Sequence, residues 1–275
     1  MNFLLTQYND SHFKLIEYKE DYRFLAKHYT IKYNNTNNNT NNYISNESRA
    51  CSTIKELALC NDFNFFGTLT LKSDRYNLDS AQDLIKKYMK KIKRIDKDFI
   101  FLWITEKHQD GAFHFHGLFR FTNMSNFYKS TIKNQKDCKF YHGYSSYLFD
   151  EIGRNFFEPI KNKEKLSSYI TKYITKTPIK SSHNQLYFCS RGLARAEKTY
   201  LKNDKLDIIF NNKNIYENDI LKIAEFDLKD LTKEEIFELM FASEDDKKNV
   251  ISKEVEQVKF EMQKYLKKAI DFYNN

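Results

Sequence analysis

Glycine and proline are scarce in this sequence, which has 6 Gly and 2 Pro among its 275 residues. This content excludes collagen-like proteins and proteins made mainly of Pro- and Gly-rich loops. No run of about 18 apolar residues is present, so no membrane-spanning helix is predicted. The N-terminal stretch has no basic flank, and its apolar core is too short for a signal peptide. We therefore expect a globular protein that stays in the cytoplasm.

Cysteine is also sparse, and none of the four cysteines forms a CxxC pair. Disulfide frameworks and zinc sites depend on closely spaced cysteines. The cysteines are therefore predicted to be reduced, intracellular thiols: Cys51, Cys60, Cys138 and Cys189.

Positive charge and aromatic rings are abundant. The net charge is +8, and the chain has 24 Phe and 19 Tyr. Residues 1–200 carry 32 Lys and Arg against 20 Asp and Glu, whereas residues 201–275 carry 13 against 17. Lysine and arginine neutralise phosphates and aromatic faces stack on bases, so this composition favours a nucleic-acid partner. An ordinary lysine-rich surface has a similar composition, so charge alone does not decide the function.

Three regions are predicted along the chain. Residues 1–50 form a mixed, partly helical N-terminal segment that includes an Asn- and Thr-rich flexible linker at 34–46. Residues 51–204 form the main domain. Residues 205–275 are charged and free of glycine, and they are predicted to be a helical C-terminal extension.

The main domain alternates between strand-like and helix-like segments, which predicts an α+β fold. Predicted strands cover 64–72, 99–106, 112–121 and 154–161. Predicted helices cover 79–95, with Asp79 as the capping residue, and 164–176. The segment 122–150 fits neither pattern.

Two histidines lie two residues apart in the predicted strand "AFHFHGLFRF" (112–121). Side chains alternate between the faces of a strand, so the phenylalanines form a core face, and His114, His116 and Arg120 share the other face. The two imidazoles are then about 7 Å apart along the strand. A single histidine in such a strand would more often be structural, but two on one face predict a metal site.

Glu106, at the end of the preceding strand, is the third candidate ligand, and the hairpin loop decides whether it reaches the histidines. A two-residue turn sets Glu106 opposite Phe115 on the core face. A three-residue loop ending at a left-handed Gly111 sets it opposite His114, and such loops are common. Two imidazoles and a carboxylate suit Mg²⁺ or Mn²⁺ when phosphate oxygens complete the shell, and Zn²⁺ or non-haem Fe²⁺ also tolerate these ligands.

The repeat "YITKYITK" (169–176) is predicted to be helical, although its Ile and Thr content would also allow a strand. As a helix it places Leu166, Ile170 and Ile174 on one stripe. A neighbouring stripe carries two phenols, each beside an ammonium group: Tyr169, Lys172, Tyr173 and Lys176. A nearby lysine favours the nucleophilic phenolate, and a metal ion draws charge from a phosphate under attack. In the structural alternative the tyrosines cover the sheet and the lysines extend into water.

These segments together resemble the HUH endonucleases, in particular the rolling-circle replication initiators of small single-stranded DNA phages and plasmids. "FFGTLTLK" resembles the first family motif, and "HFH" (114–116) is similar to the His–hydrophobic–His motif, with Glu106 at the expected place of the third ligand. "YITKYITK" resembles the Tyr-x-x-Lys motif in its doubled form. "CSRGL" (189–193) is similar to a segment that follows the tyrosine helix in phage proteins. The likeness covers about residues 60–200.

The resemblance implies a central antiparallel sheet flanked by helices and a Mg²⁺- or Mn²⁺-dependent nickase in a bacterial host cell. Such an enzyme cuts one strand of single-stranded origin DNA, keeps the 5′ phosphate on tyrosine and leaves a 3′ hydroxyl for the host polymerase. It implies catalytic roles for Tyr169 and Tyr173, which can alternate, with Lys172 and Lys176 holding the phosphate or tuning the phenols. Glu106, His114 and His116 would hold the metal. Candidate DNA-binding residues are Thr68, Thr70, Arg120, Arg191 and Arg195.

No GxxxxGK[ST] motif is present, so we expect unwinding by a host helicase. Arg191, Arg195 and Lys198 have helical spacing, which indicates either a phosphate-binding stripe or a solvated helix face.

Three other functions remain open: a tyrosine transposase of the same superfamily, a non-catalytic DNA-binding factor, and a cupin-like metal hydrolase. The intact set of Glu, His and Tyr residues argues against a binding factor, which needs none of them. The six glycines argue against a cupin barrel, which needs more glycine-containing turns.

Overall fold

In the computed structural model, the described residues are 2–18, 46–134, 136, 138–176, 185–202, 204–211, 215–217, 221–240 and 242–244. Their strands are β1 (Asn2–Gln7), β2 (His12–Tyr18), β3 (Phe65–Leu71), β4 (Ile100–Lys107), β5 (Phe113–Arg120), β6 (Phe127–Lys133), β7 (Phe140–Ser146), β8 (Gly153–Pro159), β9 (Tyr187–Cys189), β10 (Glu197–Lys202), β11 (Ile215–Glu217), β12 (Leu221–Asp227) and β13 (Ser243–Glu244). Their α-helices are α1 (Asn46–Cys60), α2 (Leu78–Ile95), α3 (Tyr147–Asp150), α4 (Lys163–Lys176) and α5 (Lys233–Met240).

The chain divides into two compact units. One unit is the continuous segment 42–195, and the other combines residues 1–41 with residues 196–275. Both contain an antiparallel sheet with helices, so the predicted α+β class is confirmed. Among the described residues, no helix is both long and apolar enough to cross a membrane.

The described part of the 42–195 unit contains an antiparallel sheet in the order β6-β7-β8-β3-β5-β4-β9. One face of this sheet carries the phenylalanines of β5, and the apolar side of α2 packs on them. The other face is covered by α1 and α4, through residues such as Ile54, Ile170 and Ile174. The predicted alternation of β5 is therefore confirmed, because its core face is buried and its histidine face lies under α4.

Most of the predicted elements of this unit are present within one or two residues. The first residue of α2 differs, since the helix begins at Leu78 and its cap is Asn77, whose side chain accepts a hydrogen bond from the Ser80 N–H at 3.0 Å. Asp79 lies instead in the first turn. The segment 122–150, which fitted no pattern, forms the hairpin of β6 and β7 followed by α3.

The described part of the second unit has the strand order β11-β12-β2-β1-β10-β13. In its core, Phe3, Leu15 and Phe226 pack with buried residues of a 3₁₀ helix at Asp204–Phe210 and of α5. His12 on β2 pairs with Asp227 at the end of β12, with Nδ1 and Oδ1 2.9 Å apart.

Two expectations for the ends of the chain are wrong in the described residues. Residues 2–18 form strands rather than a partly helical segment, and residues 205–244 combine strands with short helices rather than forming a helical extension. The strands of both regions share one sheet, with β2 paired to β12 and β1 paired to β10. The linker residues 34–45 and residues 245–275 lie outside the described residues.

Candidate nicking site

The hairpin of β4 and β5 places Glu106 directly across from His114. Gly111 has a φ of +86°. Its N–H donates to the His108 carbonyl at 2.9 Å, and the His108 N–H donates to the Ala112 carbonyl at 2.8 Å. The three-residue loop predicted from the sequence is thus confirmed, and it sets Glu106 on the same face as the two histidines.

His116 is held through both of its ring nitrogens. Its Nε2 lies 2.8 Å from Glu106 Oε2, and its Nδ1 lies 3.1 Å from Thr68 Oγ1. The residue is 7% exposed, so neither contact competes with much water. A hydrogen-bond partner on the second nitrogen is what orients a metal-binding imidazole. Thr68, which the resemblance assigns to DNA binding, here contacts a histidine.

His114 is adjacent to this pair, but its ring faces elsewhere. It stacks on His108, with ring centroids 4.8 Å apart and an angle of 11° between the planes. Burial lowers the pKa of His114, and the imidazoles of His108 and His116 lower it further. The structure therefore brings Glu106 and His116 into contact and sets His114 beside them in neutral form.

The donor set fits a divalent metal ion. Neutral imidazoles and a carboxylate are ligands for such ions, and all three side chains project from one face of two paired strands. Thr68 already orients one imidazole. Glu106, His114 and His116 stay the predicted ligands, the residues that would hold such an ion.

The two tyrosines of α4 differ sharply in exposure. Tyr173 is 8% exposed and its ring stacks on His116, with centroids 4.1 Å apart. Tyr169 is 44% exposed, and its ring edge meets Phe66. The Tyr173 hydroxyl donates a hydrogen bond of 2.6 Å to the Tyr169 hydroxyl. Burial raises the pKa of Tyr173 far above its ordinary value, and the hydrogen bond to Tyr169 adds to this shift.

Lys172 contributes positive charge at the exposed side of the tyrosine helix. Lys172 Nζ lies 5.8 Å from the centroid of the Tyr169 ring. The backbone of Lys176 ends α4, but its side chain lies outside the described residues.

Arg154 is a site residue that the sequence did not reveal. The pairing of β3 with β8 sets Arg154 across from Thr70, and the pairing of β3 with β5 sets Thr70 across from His114. Cross-strand partners project to the same face, so Arg154, Thr70, His114 and Glu106 form one row across four strands. Arg154 is exposed, and the described residues supply no carboxylate partner for it. Only the strand order brings it here, because no local pattern marks it.

The remaining candidate DNA-binding residues lie at the end of β5 and in the segment after β9. Arg120 ends β5, and its guanidinium donates to the Asp98 carbonyl at 3.0 and 3.1 Å. The helical stripe predicted for Arg191, Arg195 and Lys198 is wrong, because a turn at Gly192, with φ +72°, and extended chain occupy this segment. Arg191 is exposed, and Arg195 lies 3.8 Å from Glu56.

Residues 64–178 match the family model for the replication-associated protein ORF2. The match covers less than half of the chain, and we call the matched residues 64–178 the ORF2 domain for their similarity to this family. This family comprises rolling-circle replication initiators, which are DNA-binding proteins of replication. Neither the comparison with curated proteins nor the comparison with solved structures gave a match.

The ORF2 domain runs from the start of β3 to just beyond α4. It therefore contains the histidine hairpin, the tyrosine helix, Thr68 and Arg154. Arg191 and Arg195 lie outside it.

Proposed function

We propose that the protein is a replication initiator that nicks single-stranded origin DNA by a metal-dependent tyrosine transesterification. The observation that carries this proposal is the packing of α4 on the histidine hairpin. The Tyr173 ring stacks on His116, and the Tyr173 hydroxyl reaches Tyr169. This packing supports the proposal, because it brings two phenols and the candidate metal-binding side chains to one face of the ORF2 domain.

The reaction exchanges one phosphoester for another. The phenol oxygen of a tyrosine attacks the DNA phosphorus, the bond from phosphorus to the 3′ oxygen breaks, and the released 3′ hydroxyl takes up a proton in place of the one that the phenol loses. The 5′ phosphate remains linked to tyrosine, so the energy of the phosphodiester is conserved for rejoining. A bound Mg²⁺ or Mn²⁺ ion would supply electrophilic stabilisation of the phosphate. The free 3′ hydroxyl then serves a host polymerase, with a host helicase unwinding the duplex.

Positive side chains on this face hold the substrate. Lys172 lies beside Tyr169, and Arg154 lies in the row of the metal-binding side chains. A guanidinium is suited to a phosphate because its paired N–H groups can donate to two oxygens at once. We assign Arg154 to the DNA phosphate next to the one that is cut.

The test is formation of a covalent adduct on single-stranded oligonucleotides that tile the origin of the encoding replicon. The full chain is incubated with Mn²⁺, and adducts are resolved on a denaturing protein gel. Wild type should give a slower, DNA-linked band. The band should be absent from the Tyr169→Phe/Tyr173→Phe and His114→Ala/His116→Ala variants. Arg154→Gln should require more DNA for the same yield, whereas Arg154→Lys should retain part of the affinity.

Tyr147→Phe is the matched control, because Tyr147 is an exposed phenol on α3, a helix that packs through Phe149 on the opposite, phenylalanine face of the sheet. It should form the adduct as wild type does. DNA binding without any adduct in wild type, with either Mn²⁺ or Mg²⁺, would favour the non-catalytic binding factor. An adduct that forms only on transposon ends would favour the transposase.

A further inference from the structure

Helix α2 has a strongly basic outer side. Its inner side is buried in the domain core through residues such as Ile85, Met89 and Ile92. The outer side carries five cations in two and a half turns, which we call the α2 basic face: Lys86, Lys87, Lys90, Lys91 and Arg94. Together with Asp83, Tyr88 and Glu151, these residues line an open groove of about 580 Å³.

Acidic groups neutralise only part of the α2 basic face. Asp83 pairs with Lys86 at 3.2 Å, and Glu151 pairs with Lys91 at 3.0 Å. Within the described residues, Lys87, Lys90 and Arg94 have no carboxylate within ion-pair distance. Three cations therefore remain on one exposed face, which is complementary to a polyanion.

The groove favours the backbone of a duplex over a single strand. Single-strand sites combine cations with exposed aromatic faces on which bases stack. Among the described residues that line this groove, Tyr88 is the one aromatic, and it is only 6% exposed. Lys87 and Arg94 are seven residues apart, about 10 Å along the helix, a length that spans about three phosphates of one strand of B-DNA.

We infer that the α2 basic face binds the phosphate backbone of duplex DNA flanking the nicking site. α2 packs on the phenylalanine face of the sheet, whereas α4 and its tyrosines pack on the opposite face. The two surfaces therefore contact different parts of the DNA. This inference goes beyond the nicking chemistry and rests on the assignment of the chain to DNA replication.

The test is the salt dependence of duplex binding, measured by fluorescence anisotropy with full-length protein and a labelled 30-base-pair duplex. The variant Lys87→Gln/Lys90→Gln/Arg94→Gln removes the three unpaired cations. If each contacts a phosphate, the slope of log K against log salt concentration should fall in magnitude by about 2.7. Affinity at 0.1 M salt should fall by about tenfold or more.

The matched control removes the same charge elsewhere, in the variant Lys129→Gln/Lys139→Gln/Lys233→Gln, and it should keep the wild-type slope. No duplex binding by wild type, equal slopes for wild type and the α2 variant, or an equal loss in the control would each overturn the inference. An equal loss on a single strand of the same length would overturn the duplex assignment. The adduct assay is run in parallel, so that a failure of the nicking chemistry is seen separately from a failure of duplex binding.

Discussion

At the scale of single residues, the two tyrosines of α4 are not equivalent. Tyr169 is open to solvent, whereas Tyr173 is enclosed between α4 and His116 and donates its hydroxyl proton toward Tyr169. A DNA phosphate can reach Tyr169 without any rearrangement of the helix. We therefore expect Tyr169 to attack first and Tyr173 to position it.

The single variants separate these roles. Tyr169→Phe should abolish the first adduct. Tyr173→Phe should keep it but slow its formation by about 10- to 150-fold, because a hydrogen bond to a charged oxygen contributes about 1.5–3 kcal/mol. Single-turnover rates of adduct formation measure both effects. Equal rates for the two variants would show that the tyrosines are interchangeable in the first step.

The residue scale also shows what the sequence reveals about the site. The spacing of His114 and His116 and the alternation of β5 locate the candidate metal-binding face, and the loop ending at Gly111 gives the register of Glu106. These features depend on residues close together in the chain, so they can be predicted from the sequence. The contacts of Thr68 with His116 and the place of Arg154 depend on the pairing of β3 with β5 and β8, residues more than 40 positions apart. No local periodicity encodes such pairings.

At the scale of elements, the register of the β4–β5 hairpin depends on Gly111. Its φ of +86° lies in the left-handed region, which costs other L-residues about 1–2 kcal/mol. A Cβ added there meets only Tyr76, at 4.0 Å, so backbone strain is the main cost of a substitution. Gly111→Ala should lower the melting temperature by about 2–8 °C.

Gly111→Asn is the matched comparison, because asparagine adopts this conformation more readily than alanine. Its melting temperature should lie between that of the alanine variant and that of wild type. A Gly111→Ala protein that melts at the wild-type temperature would mean that the loop can adopt another turn without loss.

Strand β2 is one of the elements that sequence patterns missed, and it has apolar residues on both faces. In β2, Phe13 and Leu15 alternate with Lys14, but Ile16 and Tyr18 then break the alternation. In such a segment, the period of the apolar residues does not tell whether the chain is a strand or a helix. By contrast, the stripes of α2 and α4 have clear helical periods, and both helices are present as predicted, within one residue at each end.

At the scale of the whole molecule, the second unit contains a carboxyl group whose protonation affects stability. Glu17 on β2 is 7% exposed. Burial raises its pKa above the ordinary value of 4.5, and the charge of Asp207 raises it further, against the opposing effect of Lys222. A carboxyl whose pKa is raised by folding stabilises the fold below its unfolded pKa, and this stability is lost as the pH rises through the folded value.

Thermal unfolding at pH 5 and pH 8 measures this contribution. Glu17→Gln should raise the melting temperature at pH 8 relative to wild type, because the neutral amide imitates the protonated acid. The increase in melting temperature should be smaller at pH 5. Glu197→Gln, an exposed change on the same sheet, is the control and should show no such pH-dependent difference. A Glu17→Gln protein that is less stable than wild type at pH 8 would contradict the expected sign.

The sheet of the second unit also determines when that unit can fold during synthesis. Phe3 on β1 pairs with Leu201 on β10, and β2 pairs with β12 still later in the chain. At ribosomal rates, roughly 10–40 s pass between the emergence of β1 and that of its partner. The 42–195 unit is continuous in sequence, so all of it has been synthesised before β10 emerges. The hairpin of β1 and β2 is a two-stranded ribbon of marginal stability alone, so it pairs stably only after the last third of the chain emerges. The 42–195 unit is able to fold before that.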